Sequence, residues 1–336
     1  MALFKRKSSI PSTLAVTDFW EWWAEARSTI SPHEPSPTTE ELNRRVQAIH
    51  RELAWHFGPG EDSEHRLTVT GGGVAEVRSS AERWLRAAPA SDATWEFRSS
   101  QEADPSPLEN TIEIGGQTLE LSAVRFAIEN DLTGRRVHVG VFHPDFASVP
   151  LQLAQQVTFL SLDWALGEDA VERWLGAIET LTAAPSEPET VAALQQAVAE
   201  QVSERVVDTW IVAEWTTDDG YPGLASFRSD IRWIDHPTFD LYHRIVALYV
   251  GQENGMPHPE GLEDLRVLED ALQTAIGARG VIVAHETADA RRTFHVYTDG
   301  QDQNVTDALL AAAKRPHVSV QSTADPSWQS VREFTG

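Results

Sequence analysis

DLYHRIVALYVGQENGMPHPEGLEDLRVLEDALQTAIGARGVIVAHE occupies Asp240–Glu286, and TFHVYTD (Thr293–Asp299) and HVSVQST (His317–Thr323) follow it. Together they spell strand, helix, strand, strand, helix, strand, the order of a split βαβ, ferredoxin-like unit. The first strand is expected over Leu241–Val250, and Asn254-Gly255-Met256-Pro257 supplies turn chemistry after it. Leu262, Leu265, Leu268, Leu272 and Ile276 recur three or four apart and predict a helix ended by Gly277 or Gly280. Val281-Ile282-Val283 and Thr293–Tyr297 are β-branched runs separated by a hairpin at Ala288-Asp289-Ala290. A shorter helix over about Asn304–Ala313, stopped by Pro316, precedes a last strand at Val318 and Val320.

Several pieces of this region resemble a known family: NGMP (Asn254–Pro257), LRVLEDAL (Leu265–Leu272), the set Thr287, Arg292 and Tyr297, and DPSW (Asp325–Trp328). The chain is similar here to the bacterial domain of unknown function family 695. FWEWW (Phe19–Trp23), LTVTGGG (Leu67–Gly73), Ala87-Ala88-Pro89 and LDWALGE (Leu162–Glu168) resemble the N-terminal half of its longer members. The chain departs from the family pattern in its three glycines after Thr70 and in the doubled Arg291-Arg292. The resemblance implies no reaction. Some relatives carry a domain similar to the regulator of ribonuclease E activity B, which implies a protein-binding or inhibitory role.

Upstream, a hairpin is expected from Val206–Thr216 and Leu224–Ser229 across Asp218-Asp219-Gly220, extending the central sheet or covering one face. Before it, a helix spans about Glu189–Glu204, and Ala183-Ala184-Pro185-Ser186-Glu187-Pro188 has linker composition. The expected organisation is therefore a flexible tail (1–12), an N-terminal α+β domain (13–184), a linker (185–188) and a C-terminal ferredoxin-like domain (189–336). The fold class is α+β.

In the N-terminal half, Phe19, Trp22 and Trp23 share one helical face, which reads as a docking face against the core. A helix from Thr39 carries Leu42, Val46, Ile49 and Leu53, with Gly58-Pro59-Gly60 to stop it. Short strands are expected at Leu67–Thr70, Trp95–Arg98, Thr111–Ile114, Thr118–Leu121, Val124–Glu129 and Arg136–Phe142. The helix Val149–Leu166 is followed by another from Glu168, with Trp174 and Ile178 facing inward. Gly71-Gly72-Gly73 lies between strand and helix, but the Lys and Ser/Thr of a phosphate loop are missing, so it reads as a tight connection.

The 336 residues carry a net charge of −24, which argues against nucleic acid or an anionic membrane as partner and favours a protein, basic if charged. Cysteine is absent, which removes disulfides, thiolate metal sites and cysteine nucleophiles. No apolar run reaches the roughly 20 residues of a spanning helix, and the basic start lacks a secretory apolar core, so a cytoplasmic protein is expected. The histidines lack ligand spacing; His285 and His295 lie on two strands of one hairpin, where they could meet with Glu286 or Asp299, but no metal or cofactor is expected.

Glu269 sits at the margin of the apolar helix face, with Arg292 and Tyr297 on or near the hairpin beneath as donors. A desolvated carboxylate must be partnered. Glu269, Thr287, Arg292 and Tyr297 thus form the candidate polar cluster, a clamp between helix and sheet or a binding pocket; no catalytic residue is assigned. The reading is a non-catalytic binding or regulatory module acting by protein–protein contact. The alternatives are a small-molecule enzyme with a Glu/Arg/Tyr or His/carboxylate pocket, and an acidic immunity-type inhibitor of a basic toxin or nuclease.

Overall fold

The structure, a computed structural model, describes residues 13–32, 37–131, 135–203, 205 and 209–335. The expected tail at 1–12 lies outside the described residues. In chain order the elements are α1 (Thr13–Ala26), α2 (Pro37–Ile49), β1 (Ala54–Pro59), β2 (His65–Thr70), α3 (Ala75–Arg86), β3 (Trp95–Arg98), β4 (Thr111–Ile114), β5 (Gln117–Glu120), β6 (Arg125–Asp131) and β7 (Arg136–Phe142). Then come α4 (Leu151–Leu166), α5 (Glu168–Trp174), β8 (Leu175–Leu181), α6 (Val191–Ser203), β9 (Trp210–Thr216), β10 (Pro222–Arg228), β11 (Leu241–Leu248) and α7 (Pro259–Ile276). The last are β12 (Gly280–Ala288), β13 (Arg291–Thr298), α8 (Gln303–Ala312), β14 (Val318–Ala324) and α9 (Arg332–Thr335). The protein is α+β, with several separate sheets.

The described residues divide into two compact units, one formed by 13–18, 75–83 and 209–335, the other by those within 19–74 and 84–205. The proline-bearing segment 185–188 falls between β8 and α6. Leu194, Ala197 and Val198 of α6 pack into the core of the second unit with Phe126, Val139, Val157 and Leu162.

The second unit holds the aromatic helix face. Phe19 and Trp23 are buried, Trp20 stacks on Trp84 at 4.9 Å, and Trp23 meets Trp95 edge-on at 5.1 Å. Two expectations are corrected here. The helix through Leu42, Val46 and Ile49 ends at Ile49, and Ala54–Pro59 is a strand paired antiparallel with β2, Trp55 opposite Val69. The helix from Glu168 ends at Trp174, and Ile178 lies on β8, parallel to β7 and opposite Val139. A spacing of four suits both periods, and pairing with β7 selects the strand.

The first unit is built on a six-stranded antiparallel sheet in the order β14-β11-β13-β12-β10-β9. Strands β11 to β14 with helices α7 and α8 follow the chain order strand, helix, strand, strand, helix, strand. Leu265, Leu268, Leu272 and Ile276 of α7 and Val305 and Leu309 of α8 bury one sheet face over Ile245, Ile282, Phe294 and Val296. Gly277 ends α7 at φ +52°. The opposite face packs Tyr242, Val281, Val283 and Tyr297 under Trp328, Val331 and Phe334 of the C-terminal segment. The β9–β10 hairpin extends the sheet beyond β12.

Two backbone features tune this sheet. Asp289 and Ala290 close the β12–β13 hairpin at φ +49° and +57°, and the turn is braced by the Ala290 amide donating to Gly255 O (2.9 Å). NGMP thus forms the loop that holds the hairpin turn. The second is a β-bulge: Ile282 pairs with Val296 and Ala284 with His295, leaving Val283 extra. Downstream of it His285 and Thr287 face α7, and Glu286 faces the other side.

Candidate functional site

Of the residues expected to cluster, Glu269, Thr287 and Arg292 come together on the α7 face. Arg292 comes from β13, its side chain only 9% exposed, and donates Nε–H to Thr287 Oγ1 on the neighbouring strand (2.8 Å). Its Nη1 lies 3.8 Å from Glu269 Oε2, within ion-pair reach but beyond a hydrogen bond. His285, a cluster member the spacing did not assign, places Nε2 3.9 Å from Glu269 Oε1.

Burial governs the charges. It raises the Glu269 carboxyl, helped by Asp270, against the opposing pull of Arg292 and Arg266. Burial, with the Arg292 and His295 charges, lowers His285 to about 4, so its imidazole is neutral at pH 7. The guanidinium of Arg292 is likewise lowered by burial, with Glu269 pulling the other way. The group is a loosely closed carboxylate–guanidinium pair with a neutral imidazole at its flank. Ser226 is the cross-strand neighbour of His285, yet His285 Nδ1 has no hydrogen-bond partner among the described residues.

Tyr297 is not part of this cluster. It points to the opposite face, donates its hydroxyl to Asp325 Oδ2 (2.7 Å) and stacks on Trp328 at 4.5 Å. Asp325 also accepts from the amides of Gln329 and Ser330, and Trp328 donates to Phe239 O (2.8 Å). Burial and the Asp325 carboxylate push the Tyr297 phenol far above its usual range. DPSW and Tyr297 are a lock that fastens the C-terminal segment over the sheet. The bulge also separates the two histidines: His295 accompanies Tyr297, hydrogen-bonded through Nδ1 to Tyr242 Oη (2.8 Å) and donating from Nε2 to Glu286 Oε2 (3.0 Å). Among the described residues no group of three His, Cys, Asp or Glu is placed to hold a metal.

A second feature lies on the hairpin. Every residue of β9 is exposed, including Trp210, Ile211, Val212 and Trp215, and Tyr221 in the turn is exposed as well. Trp210 reaches the polar cluster, its ring 6.0 Å from that of His285. Trp215 lies across Gly223, where a Cβ would come within 2.2 Å of the indole. Composition alone hid this surface, because WIVAEWT has the look of a core strand.

The C-terminal unit thus carries a buried polar cluster beside an exposed hairpin on an α+β fold. Residues 208–335 match the family of unknown function DUF695. No curated protein matches the chain. A crystal structure of a Thermus thermophilus protein aligns at 12% identity over 85% of this chain and 37% of that one, with a TM-score of 0.15, too low to carry an argument. The chain thus spans a little over a third of that protein. Among the described residues no helix is long and apolar enough to cross a membrane.

Proposed function

We propose that this chain is a non-catalytic, cytoplasmic binding or regulatory module acting by protein–protein contact, with a ferredoxin-like C-terminal unit as its scaffold. The order β14-β11-β13-β12, with both helices on one face, supports the scaffold reading. One observation carries the function: the exposed apolar hairpin with Trp210, Ile211, Val212 and Trp215. A strand whose apolar residues, two tryptophans among them, are exposed on both faces marks a contact surface more than a solvated one. The net charge of −24 supports a basic partner, reached by electrostatic steering.

Affinity capture from the encoding organism's lysate tests this, using the wild-type chain and a Trp210→Ser/Val212→Ser/Trp215→Ser variant. At least one protein is expected to be retained by the wild type and lost by the variant at an unchanged melting temperature. Identical retained sets from two folded baits would sink the reading.

A further inference from the structure

We infer that β9 is a docking edge for an extended segment of a partner protein, which joins the sheet as a seventh strand and places a Lys or Arg against Glu214. This rests on the binding-module reading and specifies its mode. β9 ends the sheet order, and no described strand pairs with its outer edge. An edge strand offers a row of unpaired N–H and C=O groups, and proteins that avoid pairing there use charge, proline, bulges or very short strands. β9 has seven residues, no proline, no bulge in its pairing with β10, and a single charge, Glu214. Over roughly 3.3 Å per residue this is a run long enough to template a peptide strand.

Charge selects the occupant. Glu214 faces the α7 side opposite Leu224, and Asp218 and Asp219 are exposed in the adjoining turn. A cavity of about 520 Å³ at this end of the hairpin is lined by Glu214, Trp215, Leu224 and Met256 among others. A Lys or Arg on the added strand beside Glu214 sets its charge against that carboxylate at the mouth of this cavity. A second copy of this chain would instead bring another Glu214 and another net charge of −24 to the same edge.

The test is selection of phage-displayed random nine-residue peptides on the full chain and on its Glu214→Lys variant. Wild-type selections are expected to enrich alternating apolar residues with Lys or Arg at one position. The variant is expected to invert that position to Asp or Glu. N-methylation of alternate amides in the best peptide, in one of the two phases, is expected to weaken binding at least tenfold, because it removes the edge hydrogen bonds. No enrichment, an unchanged charge preference, or full binding by both N-methylated forms overturns strand addition. So does sedimentation showing a dimer that Val212→Ser dissolves, since the occupant is then a second copy. If strand addition fails while lysate capture still depends on Trp210, Val212 and Trp215, the binding module survives and only its mode falls.

Discussion

Glu269 and Glu263 sit on one helix and differ in what surrounds them. Glu263 pairs with Arg266 at 3.6 Å with both side chains more than 60% exposed, where an ion pair contributes below about 1 kcal/mol. Glu269 is the counter-charge to a guanidinium that is nine-tenths buried. Glu269→Ala is expected to cost roughly 1–3 kcal/mol and Glu263→Ala almost nothing, a contrast that thermal melts of the two variants resolve. Equal small shifts would remove the clamp. Asp163 offers a pH test in the other unit. Burial and the neighbouring Glu168, itself held by Thr70 and the Gln101 amide, raise Asp163 from 3.8 to about 7. A carboxyl raised on folding keeps its proton in the native state while the unfolded chain loses it. Its contribution is therefore greatest below about pH 4 and falls as pH rises through about 7. Asp163→Asn is expected to gain roughly 1–3 kcal/mol over wild type at pH 8.5 and little at pH 4.5. Parallel stability curves for the two proteins across that range would refute it.

Elements repeat the lesson that pairing outranks local pattern. The α7 stripe was legible because Leu265, Leu268, Leu272 and Ile276 admit one period and all are buried. Ile178 was not, because four residues from Trp174 suits helix and strand alike, and only β7 decides between them. β1 was hidden for a similar reason: AWHF follows a helical stripe without a break, and its partner β2 lies beyond a turn. In the candidate site, Glu269, Thr287 and Arg292 could be anticipated from the resemblance and the helix margin. Tyr297 lies five residues from Arg292 on one strand, so the two-residue period puts it on the opposite face, a reading the strand alone allowed. His285 joins the cluster because the extra residue in β12 sets which of that strand's side chains face α7. The hairpin turn carries its own prediction. Ala290 adopts φ +57°, a conformation that costs a Cβ-bearing residue about 1 kcal/mol. Ala290→Gly is expected to raise the melting temperature by roughly 1–3 °C, read by calorimetry. A fall would show that the methyl group's packing on Gly251 matters more than the strain.

For the whole molecule the question is which stretch folds alone. A chain from Glu189 to Gly336 carries the complete six-stranded sheet and both cores of its unit. It lacks Arg83, a side chain 9% exposed that meets Asp240 at 2.9 Å and Asp299 at 2.6 Å within that unit. Losing these charge-assisted hydrogen bonds, with the carboxylates left to water, costs roughly 1–3 kcal/mol. The fragment is expected to melt cooperatively but roughly 10 °C below the full chain, with limited proteolysis cutting near Pro185. Full-length Arg83→Met should reproduce much of that loss. An insoluble fragment, or one without a cooperative transition, would show that the unit needs the rest of the chain.

The extra Val283 also bears on how kin of this molecule are compared. Ala284 through Ala288 pair with β13 on the far side of the extra residue, so a relative that lacks it and keeps those pairs would hold His285, Thr287 and Arg292 in place. Numbering forward from the end of α7 would then mistake a neighbour for His285, and a substitution at the wrong site would be blamed for lost binding. Counting backward from the Asp289-Ala290 corner avoids the slip. Descent with insertion or deletion at this point is silent in the architecture and misleading in a column of letters.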